Sequence, residues 1–207
     1  MHKILENGAP AGNLYDKYNT KNPVARYMMN NFLDSASAFL LSIKDDIDSI
    51  TEVGCGEGHL ANHIHSLGIT EKISCCDFSE QVIDIARKNY QNTNIRFYQK
   101  DIYHIGPEEM ADLIVCCEVL EHLEEPEKAL EKIVTIAGKY CLLSVPNEPL
   151  WKVLNLCRGK YIRHLGNTPG HINHWNSGEF VNLISQYFEV IGTKKPLPWT
   201  MVLCKKR

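Results

Sequence analysis

Glu118, Glu121 and His122 fall within five residues of one another, in the stretch CCEVLEHLEEPEKAL. Offsets of three and four residues place them on one face of a helical turn. Two carboxylates and an imidazole at that spacing can do acid/base work, hold a divalent metal, or simply cap a loop. A second group of the same chemistry lies far along the chain, where GHINHW supplies His171, His174 and Trp175. Further carboxylates end two apolar segments, Asp77 after KISCC and Asp101 after IRFYQK. The stretch TEVGCGEGHL alternates Gly54, Gly56 and Gly58, with Glu52 ahead of them. Glycines in such a turn let a ligand approach the main chain closely. The spacing is GxGxG, neither GxGxxG nor a lysine-bearing P-loop, so a pyrophosphate site is not expected.

Composition narrows the setting. A chain of 207 residues that is 44% hydrophobic and 23% charged reads as one globular domain, 1–207, able to bury a full core. A net charge of −3 provides no global field for nucleic acid. The eight cysteines contain no CxxC, and two pairs, Cys75-Cys76 and Cys116-Cys117, sit in apolar runs. They read as reduced, buried small hydrophobes. No basic-then-apolar leader and no apolar run of about 18 residues is seen, so a cytoplasmic protein is expected.

The elements that must position these groups alternate. Residues 1–44 read as a polar arm followed by a helix over 23–41, with Pro23 at its first position. Strands are expected at 48–53, 72–76, 94–98, 111–117 and 139–145, with helices at 57–67, 79–90 and 126–137 between them. A helix over 177–187 and strands at 188–192 and 200–205 close the chain. Such alternation implies an α/β fold, a doubly wound, mostly parallel sheet with helices on both faces. One connection, 146–178, is too long for an ordinary turn and too apolar for disorder, and it reads as a helical lid after strand five. Its segment PLWKVLNLCRGKYIRHLG sets Leu150, Trp151, Leu154, Tyr161 and Ile162 against Lys152, Arg158, Lys160, Arg163 and His164. A basic amphipathic stretch can cover a pocket, touch a membrane surface or meet an anionic acceptor.

ExGxGxG, the acidic end of strand two, Asp-Ile after strand three and the apolar strand before EVLEHL together resemble class I S-adenosylmethionine-dependent methyltransferases, among them the quinone-biosynthesis O-methyltransferases. The resemblance implies a Rossmann-like seven-stranded sheet with the last strand antiparallel. It implies a cofactor site of Glu52, Gly54, Cys55, Gly56 and Gly58, the loop backbone facing the methionine part. Asp77 would take the ribose hydroxyls, Phe78, Asp101 and Ile102 the adenine, and Cys117 and Glu118 would lie near the transferred methyl. LYDKYNTKNP resembles arms that cover the cofactor, which adds Tyr18. ExxEH with a distant His also resembles small-RNA 2′-O-methyltransferases, whose divalent metal would here be held by Glu118, Glu121, His122 and His171. Catalytic roles are expected for His122, His171 and Glu121, by proton transfer or through that metal. The expected activity is methyl transfer from S-adenosylmethionine to a small acceptor, at a hydroxyl of an aromatic or lipid-like compound. The alternatives are a metal-dependent RNA 2′-O-methyltransferase and a non-catalytic cofactor-binding protein.

Overall fold

The computed structural model describes residues 4–6, 9–11, 20–157, 168 and 170–207, with backbone alone at 4–6, 9–11, 153 and 155–157. Seven strands form one sheet: β1 (Ile50–Val53), β2 (Ile73–Asp77), β3 (Arg96–Gln99), β4 (Ala111–Cys117), β5 (Ala137–Pro146), β6 (Glu189–Lys194) and β7 (Trp199–Lys205). Their order is 3-2-1-4-5-7-6. The first five run parallel, and β7 lies antiparallel between β5 and β6. The chain therefore steps outward from β1 to β3, then crosses back to β4 on the other side of β1. That reversal opens a crevice at the carboxyl ends of β1 and β4, where open α/β sheets take their ligands.

Helices cover both faces. On one face pack α1 (Pro23–Ser42), α2 (His59–Ser66) and α3 (Glu80–Asn89). On the other pack α4 (Pro126–Ile136) and α6 (Ser177–Ile184), while α5 (Leu150–Cys157) opens the lid connection. Pairing in β-strands alternates faces, which accounts for the adjacent cysteines. Cys75 and Cys117 join the α1 side of the core, and Cys76 and Cys116 the α4 side. Burial pushes these thiols well above their ordinary range, so they act as small apolar groups.

Local chemistry sets the boundaries. Asn22 caps α1 by accepting from the N–H groups of Val24 (2.9 Å) and Ala25 (3.3 Å), ahead of Pro23. Ser79 caps α3, and Asn176 with Glu179 forms a capping box on α6. Helix α1 crosses toward the far edge of the sheet, where the Phe39 ring lies so close to Gly192 that a Cβ there would be 2.7 Å from it. The arm contains a short antiparallel hairpin pairing Ile4–Glu6 with Ala9–Ala11, which the polar sequence did not announce. None of the described helices is long and apolar enough to cross a membrane.

Candidate active site

Three glycines end β1, all with left-handed backbones: Gly54 (φ +76°), Gly56 (φ +55°) and Gly58 (φ +81°). Their surroundings differ. A Cβ on Gly54 would overlap the side chain of Val119, which follows β4, so β1 and β4 close on each other at the crevice. A Cβ on Gly58 would stand 3.0 Å from Phe97 and 3.1 Å from Tyr90. A Cβ on Gly56 would meet nothing within 4 Å among the described residues. The loop is thus walled at both ends and open in the middle, where a ligand can reach the backbone.

The neighbouring carboxylates are fixed to this loop. Asp77, at the end of β2, accepts from the N–H of Gly56 (3.0 Å) and from that of Ser79 (3.1 Å). Glu52 is buried in β1, and desolvation, then the nearby charge of Asp77, raises its pKa to about 8. Burial likewise pushes the Cys55 thiol up. At the next strand end, Asp101 accepts from the N–H of Tyr103 (2.9 Å), starting the turn that buries Ile102. Phe78 sits between them, its carbonyl held by the Gln99 amide at 2.9 Å. The adjacent ends of β1, β2 and β3 therefore bring together Glu52, the glycines, Asp77, Phe78, Asp101 and Ile102. Cys117 ends β4 across the crevice.

After β4 the helical face expected for Glu118, Glu121 and His122 does not form. Glu118 adopts φ +62°, and only a single 3₁₀ turn, Leu120–His122, follows. The Glu118 carboxylate accepts from the Ser144 hydroxyl (3.2 Å) on β5 and from the Trp199 indole N–H on β7. A non-glycine residue in that conformation is strained, which is characteristic of functional sites.

Glu121, His122 and His171 do come together, with one ligand atom from each lying within 4.8 Å of the others. Glu121 is 2% exposed, and its carbonyl accepts from the N–H groups of Ile172 (2.9 Å) and Asn173 (3.1 Å), tying the lid's far stem to this turn. The His122 Nδ1 lies 2.8 Å from the Gly170 carbonyl, which can only accept. Nδ1 therefore carries a proton, and Nε2 lies 3.9 Å from the Glu121 carboxylate. Glu118 stands outside this group. One carboxylate and two imidazoles are a donor set that fits Mn²⁺ or Zn²⁺.

Aromatic rings cluster beside this group. Trp151 of α5 stacks on His171 with centroids 6.0 Å apart and meets Trp199 at 5.8 Å, while Trp199 meets Phe32 of α1 at 5.1 Å. The Trp151 indole donates to the Thr168 hydroxyl at 2.8 Å, joining the two stems of the lid. Tyr18 and the lid residues Arg158, Lys160, Tyr161, Ile162, Arg163 and His164 lie outside the described residues. Three contributors were not singled out from sequence: Trp199, Ser144 and Glu148. Glu148 is buried, with its carboxylate 3.5 Å from His174. It follows an apolar strand just as Asp77 and Asp101 do, so the same strand-end signal marks it.

Residues 51–139 match the model of a family described as a methyltransferase domain. The chain is 27% identical over 120 residues to malonyl-[acyl-carrier protein] O-methyltransferase of Bacillus anthracis, covering 58% of this chain and 42% of that one. It is 29% identical over 90 residues to ubiquinone biosynthesis O-methyltransferase of Coxiella burnetii, covering 42% and 38%. It spans less than half the length of these curated relatives. Among solved structures, magnesium protoporphyrin IX methyltransferase (ChlM) from Synechocystis PCC 6803 with bound SAH superposes with a TM-score of 0.70 at 19% identity, covering 92% of this chain and 91% of that one. The fold is that of the class I methyltransferases. The sheet order, the glycine loop at the switch point and the methyltransferase-domain match over residues 51–139 agree with one another.

Proposed function

We propose that this chain transfers a methyl group from S-adenosylmethionine to a hydroxyl of a small aromatic or lipid-like acceptor. The observation that carries the reading is Gly56. Its α-carbon faces open space while its N–H is held by Asp77 at the carboxyl end of the neighbouring strand. Named O-methyltransferases among the relatives support oxygen as the acceptor atom.

S-adenosylmethionine supplies an already activated methyl, so the protein's tasks are alignment, exclusion of water and removal of the acceptor's proton. The loop of Gly54 to Gly58 would receive the methionine part, Asp77 the ribose hydroxyls, and Phe78, Asp101 and Ile102 the adenine. Cys55 is a poor nucleophile because burial holds its thiol neutral, which argues against a methylated-enzyme intermediate on it. As the acceptor oxygen bonds to the methyl carbon, the carbon–sulfur bond breaks and its electron pair neutralises the sulfonium. The acceptor's proton passes to the lone pair at Nε2 of His122, with Glu121 stabilising the imidazolium that results. The ring stack of Trp151, Trp199 and His171 closes the chamber against water and favours a flat acceptor.

A second reading rests on the closeness of Glu121, His122 and His171. A divalent ion held there would lower the pKa of the acceptor hydroxyl. We place the protein in the cytoplasm, with a small molecule rather than a nucleic acid as acceptor and the basic side of the lid as the surface for membrane contact.

The test is methyl transfer from tritiated S-adenosylmethionine to catechols, prenylated phenols, aliphatic amines and an RNA oligonucleotide, with and without EDTA. Label on the phenolic acceptors supports the reading. Label confined to amines, or to RNA, contradicts it.

A further inference from the structure

Behind the cofactor loop lies a chain of hydrogen bonds that methyl transfer itself does not require. The His59 Nδ1 is 2.7 Å from the Tyr90 hydroxyl, and its Nε2 is 3.2 Å from the Glu57 carboxylate. A carboxylate only accepts, so Nε2 carries a proton, and in the neutral tautomer Nδ1 accepts from the phenol. The order Tyr90 to His59 to Glu57 is then donor-consistent throughout. It is also nearly dry, with 13% of the His59 side chain and 9% of the Glu57 side chain exposed.

These residues enclose Gly58. Glu57 and His59 are its chain neighbours, Tyr90 follows α3, and the Tyr90 ring stacks on Phe97 of β3 at 6.4 Å. The two rings are the groups that approach the Gly58 α-carbon. Three polar groups gathered in a nearly dry place are expensive unless fully satisfied, and apolar packing would hold a loop at lower cost. What such a relay adds is direction. It fixes the entry into α2 and the left-handed turn at Gly58 against α3 and β3.

We propose that Glu57, His59 and Tyr90 are positioning residues that preorganise the Gly54–Gly58 loop for S-adenosylmethionine. This rests on the reading of that loop as the cofactor site. It assigns these residues no contact with the cofactor or the reacting atoms.

The test is calorimetric titration of S-adenosylhomocysteine into the full chain, with thermal melting of each unliganded variant. Tyr90→Phe keeps the ring on Phe97 and deletes the phenol. It is expected to weaken binding by roughly five- to twentyfold, in line with losing a hydrogen bond to a buried partner. Glu57→Ala is expected to do the same, and Glu57→Gln, which still offers an oxygen to the imidazole N–H, to recover most of that loss. Wild-type affinity in Tyr90→Phe and Glu57→Ala overturns the proposal, whatever their melting temperatures. A loss that vanishes once the unfolded fraction is subtracted overturns it too. If the folded wild type binds no S-adenosylhomocysteine, the reading of the loop fails first and the relay's role falls with it.

Discussion

The indole N–H of Trp199 donates to the carboxylate of Glu118 across 81 residues of sequence. This bond ties the first residue of the last strand to the strained residue after β4, beside the proposed site of methyl transfer. Trp199→Phe preserves a ring against Phe32 and Trp151 but frees the carboxylate. Hydrogen bonds to charged groups contribute about 1.5–3 kcal/mol. Turnover is therefore expected to fall by at least about tenfold while the circular-dichroism spectrum is unchanged. Unaltered turnover would show that Glu118 needs no anchor.

The glycines separate stability from binding. Gly56→Ala meets no neighbour, so it costs about 1–2 kcal/mol for the left-handed backbone alone, and its methyl group projects into the proposed ligand space. Gly54→Ala adds an overlap with Val119. Scanning fluorimetry should show a small drop in melting temperature for Gly56→Ala and a much larger one for Gly54→Ala. Stabilisation by added S-adenosylhomocysteine should be lost in both. Ligand stabilisation that persists in Gly56→Ala would move the cofactor elsewhere.

Glu52 makes stability depend on pH. Its folded pKa of about 8 lies above the 4.5 of an ordinary glutamate. Between these values the folded state binds more protons than the unfolded one, so stability is fully present below pH 4.5 and is lost as pH rises through 8. The loss is on the order of 5 kcal/mol. Urea unfolding from pH 5 to pH 9 should show this decline in the wild type and a flatter profile in Glu52→Gln. Parallel profiles for the two proteins would refute the assignment.

Metal binding has a direct readout. On the second reading, titration of the folded protein with Mn²⁺ or Zn²⁺ raises the melting temperature, and Glu121→Gln and His171→Ala each abolish the rise. An unchanged melting temperature across millimolar metal, with turnover that survives EDTA, would leave His122 as the base and remove the ion from the site.

The sheet was legible because its strands are short apolar runs between clear turn and cap signals. The segment 111–117 coincides with β4, and the Ser79 and Pro126 signals begin α3 and α4. The strand-end carboxylates were equally legible, since Asp77 and Asp101 follow apolar runs. Glu118 was not. Helical spacing groups it with Glu121 and His122, and nothing in a glutamate announces a φ of +62°. Trp199 escaped because its contact is made across the sheet, through β5 and β7, where spacing carries no information. His171 was reached by likeness to known motifs, its distance from His122 being 49 positions. The relay of Glu57, His59 and Tyr90 depends on how α3 ends against β3, a tertiary detail that local pattern does not encode.

The most direct measurement is a calorimetric titration of S-adenosylmethionine and S-adenosylhomocysteine into the folded wild type and into Asp77→Ala. Saturable, roughly micromolar binding of both to the wild type is expected, weakened about tenfold to a hundredfold by loss of the carboxylate that holds Gly56. A folded wild type that takes up neither ligand, or an Asp77→Ala variant that binds as the wild type does, would contradict the placement of the cofactor at this loop.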